Sequence, residues 1–475
     1  MLDYQLVRRL QAQVADRLTR DQQEREARGD PPLSAADVRQ QALSVGHEVV
    51  SAYMQQRLNA GLELPDSGYD RRLIEAVDAA MYGAGELQAL LDDHGIENID
   101  INGCDEVWIT YADERGTVRG RPVAATDDDL IDMVRNLGAY AGLNARPFSP
   151  ASPELDLRLP DGSRLSAVMR ASERPLVSIR RNRYREVFLA QVPPLARRGP
   201  EQDGRRRRHG PRTLLQLGTV TEELATFLQA AVLARCNVVV AGATDAGKTT
   251  LLRALINCIP AHERLITVER ALELGLRQHP DLHPNVAEME EVLPSPEGGG
   301  GISIGQLVRR SRRQNPSRVI VGEVLGPEVV EMLSAMAQGN DGSLSTIHAR
   351  SAADVFARMA TYAAQHEGLP FEVTHALIGS AVDFVVFIRK NPHSSNAQRA
   401  VMEVLEVTGS SEGRVTRSRI FAEGSDGRAV RDPEVAIMRG PQLAAYGYQD
   451  GYPLAQGWQA APALPHGWRD QGGRP

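Results

Sequence analysis

The sequence predicts an α/β protein with three parts: a helical N-terminal extension, a small α/β domain, and a larger domain built on a parallel sheet with a glycine-rich loop. Short β-branched runs such as "NVVVAGA" and "RVIVGEVLG" are typical of strands buried on both faces of a parallel sheet. The stretch "TTLLRALINCI" after the first run has apolar residues at helical spacing, so a helix follows the strand. The first 75 residues or so are helical by pattern, with the breaker "RGDPPLS" between two helices.

Changes in composition along the chain set the predicted boundaries. We expect a helical extension over residues 1–76, the small α/β domain over 77–190, and the parallel-sheet domain over 215–435. Residues 191–214 are rich in Pro, Gly and Arg and are predicted to form a linker. Residues 436–475 contain turn residues throughout and no periodicity, so we expect this tail to be disordered.

The composition argues against several classes of protein. A net charge of −7 gives no overall attraction to nucleic acid or anionic membranes. Cys104, Cys236 and Cys258 lie far apart without CxxC spacing, which argues against a disulfide framework or a zinc site. The run Arg205 to Arg208 has no interleaved aromatic residues and is expected to be solvated, with binding of nucleic acid or lipid as the alternative. The N-terminus lacks the apolar core of a signal peptide, and the sequence has no run of 18 apolar residues, so we expect a soluble, cytoplasmic protein.

Lysine is rare in this chain, which gives one lysine unusual weight. Of 54 basic residues only Lys248 and Lys390 are lysines, and the other 52 are arginines. Lys248 lies in a segment that fits GxxxxGK[ST], between a predicted strand and a predicted helix, where backbone N–H groups cradle phosphates. Its ammonium suits the β- and γ-phosphates of ATP and the Thr249 hydroxyl suits Mg²⁺, and we expect the lysine to be solvated when no ligand is bound. The candidate nucleotide-binding residues are Gly242, Ala243, Thr244, Asp245, Ala246, Gly247, Lys248, Thr249 and Thr250.

Three further stretches carry an acid or a histidine at or beyond the end of a predicted strand. The stretch "RVIVGEVLG" contains Glu323, "RLITVERALELGL" contains Glu269 and Glu273, and "GNDGSLSTIHARS" contains His348. The carboxyl ends of parallel strands face the nucleotide in a doubly wound sheet. A carboxylate at that edge can orient water or hold the shell of Mg²⁺ during phosphoryl transfer.

In chain order, these four stretches resemble the Walker A, Asp box, Walker B and His box of the secretion and pilus-assembly ATPases of the type II/type IV secretion superfamily. The similarity is strongest to the CpaF/TadA-like branch, whose His box corresponds here to "DGSLSTIHA". The stretches "GAGELQALLDDHGIENIDINGCDEVWI" and "LDLRLPDGSRLSAV" are similar to the N-terminal domain of that family. The resemblance covers roughly residues 80–420 and implies a RecA-like P-loop ATPase domain.

The resemblance also implies a role for each matched residue. Glu323 would be the Walker B carboxylate, which polarises the attacking water and, with Thr249, holds Mg²⁺. Glu269 of the Asp box is the other candidate base. His348 would contact the γ-phosphate side and report its presence.

The family's N-terminal domain offers arginines to the nucleotide. Arg164, in "DGSR", and Arg180, in "VSIRR", fall at the corresponding places, and planar guanidinium groups suit phosphate oxygens. Arg309 and Arg313, in "LVRRSRRQNP", are further candidates. In a chain with so many arginines, solvated surface charge remains the alternative for each of them.

Two positions depart from the family pattern. The Asp box usually reads "EDA" and here reads Glu269-Arg270-Ala271, and the arginine that usually follows the Walker B "GEV" is Leu325. A cation next to Glu269 in place of a carboxylate changes the local charge by two and could lower the basicity of that residue. Alternatively, Arg270 supplies the phosphate ligand that is missing at position 325.

Three functions remain open from the sequence. The first is a homohexameric ATP-hydrolysing motor that acts with inner-membrane platform proteins, at the inner face of the cytoplasmic membrane, to assemble Flp or tight-adherence pili or to secrete proteins. The second is a nucleotide-binding assembly or regulatory subunit that hydrolyses ATP weakly. The third is a conjugation-type nucleic-acid transfer ATPase, which the overall acidity and the lack of a DNA-reading motif disfavour.

Overall fold

The structure is a computed structural model. It describes residues 4–28, 35–61, 68–82, 87–93, 95–111, 113, 115–140, 148–159, 162–181, 186–192, 211–292, 294, 300–394 and 398–450. The chain divides into two compact units. As far as these ranges are described, unit 1 comprises Met1–Arg185, Glu269–Gly275 and Glu290–Ser303, and unit 2 comprises Glu186–Val268, Leu276–Met289 and Ile304–Pro475. The predicted α/β class is confirmed in both units.

Unit 1 begins with three helices that pack on one another. They are α1 (Tyr4–Arg28), α2 (Ala35–Asn59) and α3 (Tyr69–Tyr82). Leu10, Val14 and Leu73 are buried between them and form a small core. The helical part extends to Tyr82, beyond the predicted boundary at residue 76, because Val77 of α3 is buried in the same core.

The rest of unit 1 contains an antiparallel sheet with one apolar face. Its elements are α4 (Gln88–Asp92), β1 (Ile96–Asn102), β2 (Val107–Tyr111), β3 (Thr117–Arg119), α5 (Asp127–Tyr140), β4 (Glu154–Arg158), β5 (Arg164–Val168) and β6 (Leu176–Arg180). The strands are ordered β3-β2-β1-β6-β5-β4. Alternate residues such as Leu165 and Ile179 pack against Leu130 and Val134 of α5, as a period of two requires. The opposite face of the sheet carries Ser166, Ser178 and other polar side chains.

The strands of unit 2 are β7 (Val187–Phe188), β8 (Arg212–Thr213), β9 (Val238–Gly242), β10 (Leu265–Glu269), β11 (Val286–Glu290), β12 (Arg318–Val324), β13 (Leu344–His348), β14 (Phe384–Lys390), β15 (Arg399–Ser411), β16 (Arg414–Glu423) and β17 (Ala429–Arg431). The main sheet is mixed and has the order β11-β10-β12-β13-β9-β14-β15-β16-β17. Strands β10, β12, β13, β9 and β14 pair in parallel with one another, and β15, β16 and β17 continue the sheet from β14 in antiparallel pairs. Every residue of β9 is buried, as its β-branched run predicts.

Helices cover the sheet of unit 2. They are α6 (Glu222–Leu233), α7 (Lys248–Ile256), α8 (Ile304–Ser311), α9 (Glu328–Ala337), α10 (Asp354–Glu367), α11 (Phe371–Ala381) and the short α12 (Gly440–Ala444). Single 3-10 turns span Leu276–Gln278 and Arg312–Gln314. Helix α6 begins with a cap, because the Thr221 side chain accepts a hydrogen bond from the Leu224 N–H.

A buried ion cluster fixes the amino end of strand β12. Arg318 is completely buried, and its Nε and one terminal nitrogen each donate to an oxygen of Glu263 at 2.8 Å. Arg235 donates to the same carboxylate at 2.7 Å. Gly342 has φ 83°, and a Cβ there would lie 2.4 Å from an Arg318 nitrogen. The cluster therefore ties together segments that are far apart in the sequence.

The predicted linker and the predicted disordered tail are partly ordered. Strands β7 and β8 pair in parallel, so residues 211–214 belong to the fold, whereas residues 193–210, with the run Arg205 to Arg208, lie outside the described residues. The tail prediction is wrong for residues 436–450. Tyr448 is 3% exposed, and its ring lies 5.3 Å from the ring of Phe227, a long-range contact that local periodicity does not reveal. Residues 451–475 lie outside the described part of the chain.

Two further observations concern the helices and the cysteines. None of the helices in the described ranges combines the length and the apolar character needed to cross a bilayer. The three cysteines are free thiols, and Cys104 and Cys236 are buried. Burial raises the pKa of the Cys236 thiol to about 12, so this thiol is protonated near neutral pH.

Candidate active site

The glycine-rich segment, called here the phosphate-binding loop (residues 242–249), joins strand β9 to helix α7. Gly247 precedes the helix with φ 95°, in the left-handed region that favours glycine. A Cβ at Gly242 would lie 2.3 Å from the carbonyl oxygen of Ile388, so this position requires glycine. The first-turn N–H groups of α7 have no acceptor within the helix and suit phosphate oxygens. The loop therefore has the shape that the motif predicts.

Lys248 begins helix α7 with its side chain only 7% exposed, so the prediction of a solvated lysine is wrong. Its Nζ donates to the Ala243 carbonyl oxygen at 3.0 Å. The same nitrogen lies 3.3 Å from His348 Nδ1 and 3.9 Å from Glu323 Oε1. The loop backbone and these two side chains balance the charge of the amine in its buried position.

Glu323 and His348 come from neighbouring parallel strands and meet at their carboxyl ends. His348 Nε2 lies 2.8 Å from Glu323 Oε1, and both side chains are about one third exposed. Strand β13 also pairs with β9, so that His348 lies opposite Gly242, the first residue of the phosphate-binding loop. The structure thus brings together Lys248, Glu323 and His348, which sequence reasoning had placed in three separate motifs.

The Glu269 carboxylate binds backbone N–H groups of the turn that follows it in unit 1. Its Oε2 accepts hydrogen bonds from the backbone N–H groups of Glu273 at 2.8 Å and Leu274 at 2.9 Å. The residue is 4% exposed, so these bonds satisfy an oxygen that is largely withdrawn from water. Glu269 therefore shapes the turn that follows β10, and its role as a base stays a prediction.

Arg164 and Arg180 are cross-strand neighbours on β5 and β6 of unit 1. Arg164 forms an ion pair with Glu273, the residue whose N–H is held by the Asp-box carboxylate. The two arginines line a groove of about 370 Å³, which Asp156 also lines. The guanidinium groups supply donors for an anionic ligand, whereas the carboxylate of Asp156 opposes one.

The two departures from the family pattern have local contacts. Arg270 Nε lies 3.3 Å from Glu291 Oε2, so its charge is paired within unit 1. The N–H groups of Leu325 and Gly326 both donate to Oε1 of Glu328, which holds the turn after β12. The effect of these two residues on turnover stays a prediction.

The two further arginine candidates precede strand β12. Arg309 donates through Nε to Glu331 Oε1 of helix α9 at 3.0 Å. Arg313 belongs to the 3-10 turn Arg312–Gln314. The charge of Arg309 is thus balanced between two helices, and a nucleotide role for either arginine stays a prediction.

The donors at the loop suit a phosphate-bound Mg²⁺. Within the described ranges, no group of three or more His, Cys, Asp or Glu side chains has the geometry to hold a metal ion. Mg²⁺ commonly uses one or two protein oxygens, together with water and substrate phosphates, in place of an all-protein cage. Thr249 at the start of α7 and Glu323 near the end of β12 carry oxygens of that kind, and their role as Mg²⁺ ligands stays a prediction.

Sequence comparisons with known proteins assign this chain to a family. The family described as "Type II/IV secretion system protein" matches residues 82–429. This chain belongs to the type II/IV secretion system protein family. A Mycobacterium tuberculosis protein whose description names conjugal transfer is 30% identical over 345 residues, covering 72% of this chain and 89% of that protein. The type IV secretion system protein PtlH of Bordetella pertussis is 31% identical over 339 residues, covering 67% and 93%.

Among solved structures, the VirB11 ATPase from the Brucella suis type IV secretion system is 25% identical in sequence and covers 67% of this chain and 94% of that chain. The TM-score is 0.34, so the family assignment rests on the sequence matches and not on this superposition. Membership confirms the resemblance to the type II/type IV secretion superfamily: this family member is a secretion ATPase, and it binds nucleotide.

Sequence reasoning missed two residues of this family member that contact the phosphate-binding loop. Arg399 and Lys390 both pair with the Asp245 carboxylate, at 3.0 Å and 3.1 Å. No motif marks either residue, since they lie about 150 residues after the loop. The rarity of lysine is the one signal that could have pointed there, because both lysines of the chain lie at the same loop.

Proposed function

We propose that this chain is the ATP-hydrolysing motor of a machine that assembles pili or secretes proteins through a membrane platform. The observation that carries the proposal is the convergence of Lys248, Glu323 and His348 at the phosphate-binding loop. An amine, a carboxylate and an imidazole within 4 Å of one another can bind a phosphate group and manage the proton of an attacking water.

In this proposal each of the three side chains has a separate task. Lys248 and the first-turn N–H groups of α7 bind the β- and γ-phosphates. Glu323 orients the attacking water and receives its proton, since its carboxylate is partly exposed. His348, whose Nε2 lies 2.8 Å from Glu323 Oε1, lies where a change at the γ-phosphate would alter that contact.

Mg²⁺ is the proposed cofactor. Thr249 and Glu323 would hold it, together with the nucleotide phosphates. When bound, Mg²⁺ neutralises charge on the phosphate oxygens and orients them for transfer. This division leaves the chain's own residues to position the water and the phosphates.

The finer features of the motor are also proposals. We place six copies in a ring at the inner face of the cytoplasmic membrane, in contact with platform proteins, by analogy with the family. Arg164 and Arg180 would add positive charge to the phosphates during the cycle, because arginine donors accelerate phosphoryl transfer strongly. The polar groove that they line supports this assignment.

Two alternative functions have specific support. Arg270, which pairs with Glu291, and Leu325 stand where the family usually has an acid and an arginine. These two replacements favour a weakly hydrolysing subunit. The relative from Mycobacterium tuberculosis is described in terms of conjugal transfer, which favours a nucleic-acid transfer ATPase. The acidic net charge disfavours the second alternative.

An ATPase assay with and without single-stranded DNA separates the three functions. We expect Mg²⁺-dependent hydrolysis that DNA leaves unchanged, and we expect Lys248→Ala to abolish it. Because Lys248 is buried and bonded to the loop, thermal melting of the variant must accompany the assay. Binding without turnover in the wild-type protein would support the weak subunit, and stimulation by DNA would support the nucleic-acid motor.

A further inference from the structure

Asp245 is an acidic residue in the middle of a loop that binds an anion. Its backbone has φ 60°, a left-handed conformation that Asp adopts more readily than most residues but at some cost. Its side chain is 24% exposed. A carboxylate in this loop repels phosphates unless a nearby cation neutralises its charge. The cations paired with Asp245 therefore determine its effect on phosphate binding.

Arg399, the first residue of strand β15, binds Asp245 at two places. One terminal nitrogen lies 3.0 Å from each oxygen of the carboxylate. The Nε donates to the backbone carbonyl oxygen of Asp245, also at 3.0 Å. The guanidinium therefore donates hydrogen bonds to both the side chain and the main chain of Asp245, which a lysine cannot do with the same geometry.

The bond to the main chain orients the peptide between Asp245 and Ala246. The carbonyl oxygen of that peptide points to Arg399, and its N–H donates to the Ala243 carbonyl oxygen at 3.3 Å. Carbonyl and N–H lie on opposite sides of a trans peptide, so Arg399 and Ala243 hold this peptide from both sides. Arg399 also covers the next residue, since a Cβ at Gly247 would lie 3.1 Å from Arg399 Cδ.

Lys390, the last residue of strand β14, adds a second cation. Its Nζ lies 3.1 Å from Asp245 Oδ2, but its side chain is 53% exposed. An exposed pair contributes little to stability, whereas the more buried Arg399 pair contributes more. With two cations on one carboxylate, this side of the phosphate-binding loop carries a net positive charge.

We propose that Arg399 is a positioning residue for the nucleotide: through Asp245 it holds the phosphate-binding loop in its binding shape, with support from Lys390. The inference rests on the proposed nucleotide site. Strands β14 and β15 lie outside every recognised motif. In this inference they control nucleotide affinity through Lys390 and Arg399.

The test is calorimetric titration of the full chain with MgADP, for Arg399→Gln, Asp245→Asn and the double variant. We expect Arg399→Gln to weaken binding about tenfold, the effect of losing charge-assisted hydrogen bonds. Asp245→Asn should weaken it severalfold, because the neutral amide loses the ion pair. The double variant should be no weaker than Arg399→Gln alone, since both substitutions break one contact.

Kinetics supply the second measurement. If Arg399 shapes the loop equally in the ground state and in the transition state, Arg399→Gln raises KM for MgATP about tenfold and leaves kcat within about twofold. Arg399→Lys keeps the charge but cannot bond the side chain and the main chain of Asp245 together. Its KM should lie between those of wild type and Arg399→Gln. Lys390→Gln should weaken affinity measurably but less than Arg399→Gln does, because its pair with Asp245 is the more exposed of the two.

Arg389→Gln is the matched control, because Arg389 adjoins Lys390 on the same strand but pairs with Glu423 at 2.9 Å. It should bind MgADP like wild type. Tighter binding by Asp245→Asn, with additive effects in the double variant, would overturn the inference, because it would mean that Arg399 acts on the nucleotide directly. Unchanged binding by Arg399→Gln would overturn it as well. Failure of the wild-type protein to bind MgADP would instead reject the nucleotide site itself.

Discussion

His348 Nε2 and Glu323 Oε1 lie 2.8 Å apart, on adjacent parallel strands whose ends both face the phosphate-binding loop. The contact couples the proposed catalytic carboxylate to the residue of the His box. Any shift of one strand end relative to the other changes the position of the carboxylate. This pair is therefore the first place to test the catalytic assignment.

Glu323→Gln should retain nucleotide binding and lose hydrolysis by about a hundredfold or more, as expected for removal of a general base. The amide keeps the size and the contact with His348 but cannot accept a proton from water. The measurements are MgATP turnover and MgADP titration. An exposed acid in the same unit, Glu423, provides the control Glu423→Gln, which should leave turnover unchanged. Equal losses of binding and turnover would identify Glu323 as structural.

The residues that replace the family pattern give the second prediction. Arg270→Asp with Leu325→Arg restores both positions, and if this chain is a weakened enzyme the double variant hydrolyses MgATP faster than wild type. The Arg270→Asp change also removes the pair with Glu291, so thermal melting of each single variant is the control. No gain in a double variant of wild-type stability would show that these positions do not limit turnover.

Local patterns in the sequence predict the strand–loop–helix around Lys248 and the strand ends at Glu323 and His348, because each depends on residues close together in the chain. The residues that sequence reasoning missed act over long distances. Arg399 reaches Asp245 across 154 residues, and Tyr448 packs on Phe227 across a still longer separation. The spacing of apolar residues within one helix or strand does not encode such contacts. For this reason the sequence predicts disorder from residue 436, whereas the structure describes the chain up to residue 450.

The prediction of a solvated Lys248 is wrong for a related reason. A motif states which residue type is present, but the loop backbone and two strand ends decide how far that side chain is withdrawn from water. The motif likewise fixes the identity of Glu269 without revealing that its carboxylate binds two N–H groups of the next turn.

Removing the carboxylate from the buried cluster of Arg318 should be costly. Glu263→Gln leaves Arg318 fully buried without a counter-charge and should lower the free energy of unfolding of unit 2 by about 3–5 kcal/mol. Denaturant unfolding of the full chain measures the change. Glu423→Gln, which breaks an exposed pair, should cost less than about 1 kcal/mol. Similar losses in both variants would contradict the role given to the buried cluster.

Stability should fall as the pH is lowered through the range set by His283. Burial lowers the pKa of His283 to about 4, and His279 acts in the same direction. An unfolded chain titrates this group near pH 6.5, so between pH 6.5 and 4 the unfolded state binds more protons than the folded state. The contribution is complete above pH 6.5, falls as the pH drops, and amounts to at most about 3 kcal/mol.

Urea unfolding at several pH values between 7 and 4 measures that contribution. His283→Leu should be less stable at pH 7, because Nε2 loses its bond to Asn257 Oδ1 at 2.9 Å, but its stability should depend less on pH. The exposed His262, replaced by Gln, is the control and should keep the wild-type slope. A slope that persists unchanged in His283→Leu would assign the pH dependence to other groups.

The last prediction concerns the ion pair between Arg164 and Glu273. If Arg164 supplies charge to the phosphates, it must first leave Glu273, and that exchange costs free energy on every cycle. The pair is partly exposed, with 39% of the arginine side chain and 28% of the glutamate side chain accessible, so the cost is at most about 1 kcal/mol. Glu273→Gln should therefore raise kcat by up to about fivefold, while Arg164→Gln should lower it by at least about tenfold.

The double variant separates this mechanism from a change in loop structure. With Arg164 absent, Glu273→Gln has no arginine to release, so the gain in kcat should disappear. Arg119→Gln, on an exposed strand of the same sheet, is the control and should leave kcat unchanged. Rates are measured across a range of protein concentrations beside sedimentation, because a motor that works as a ring gains specific activity as it assembles. If Glu273→Gln accelerates hydrolysis equally with and without Arg164, the arginine is not the group that the ion pair restrains.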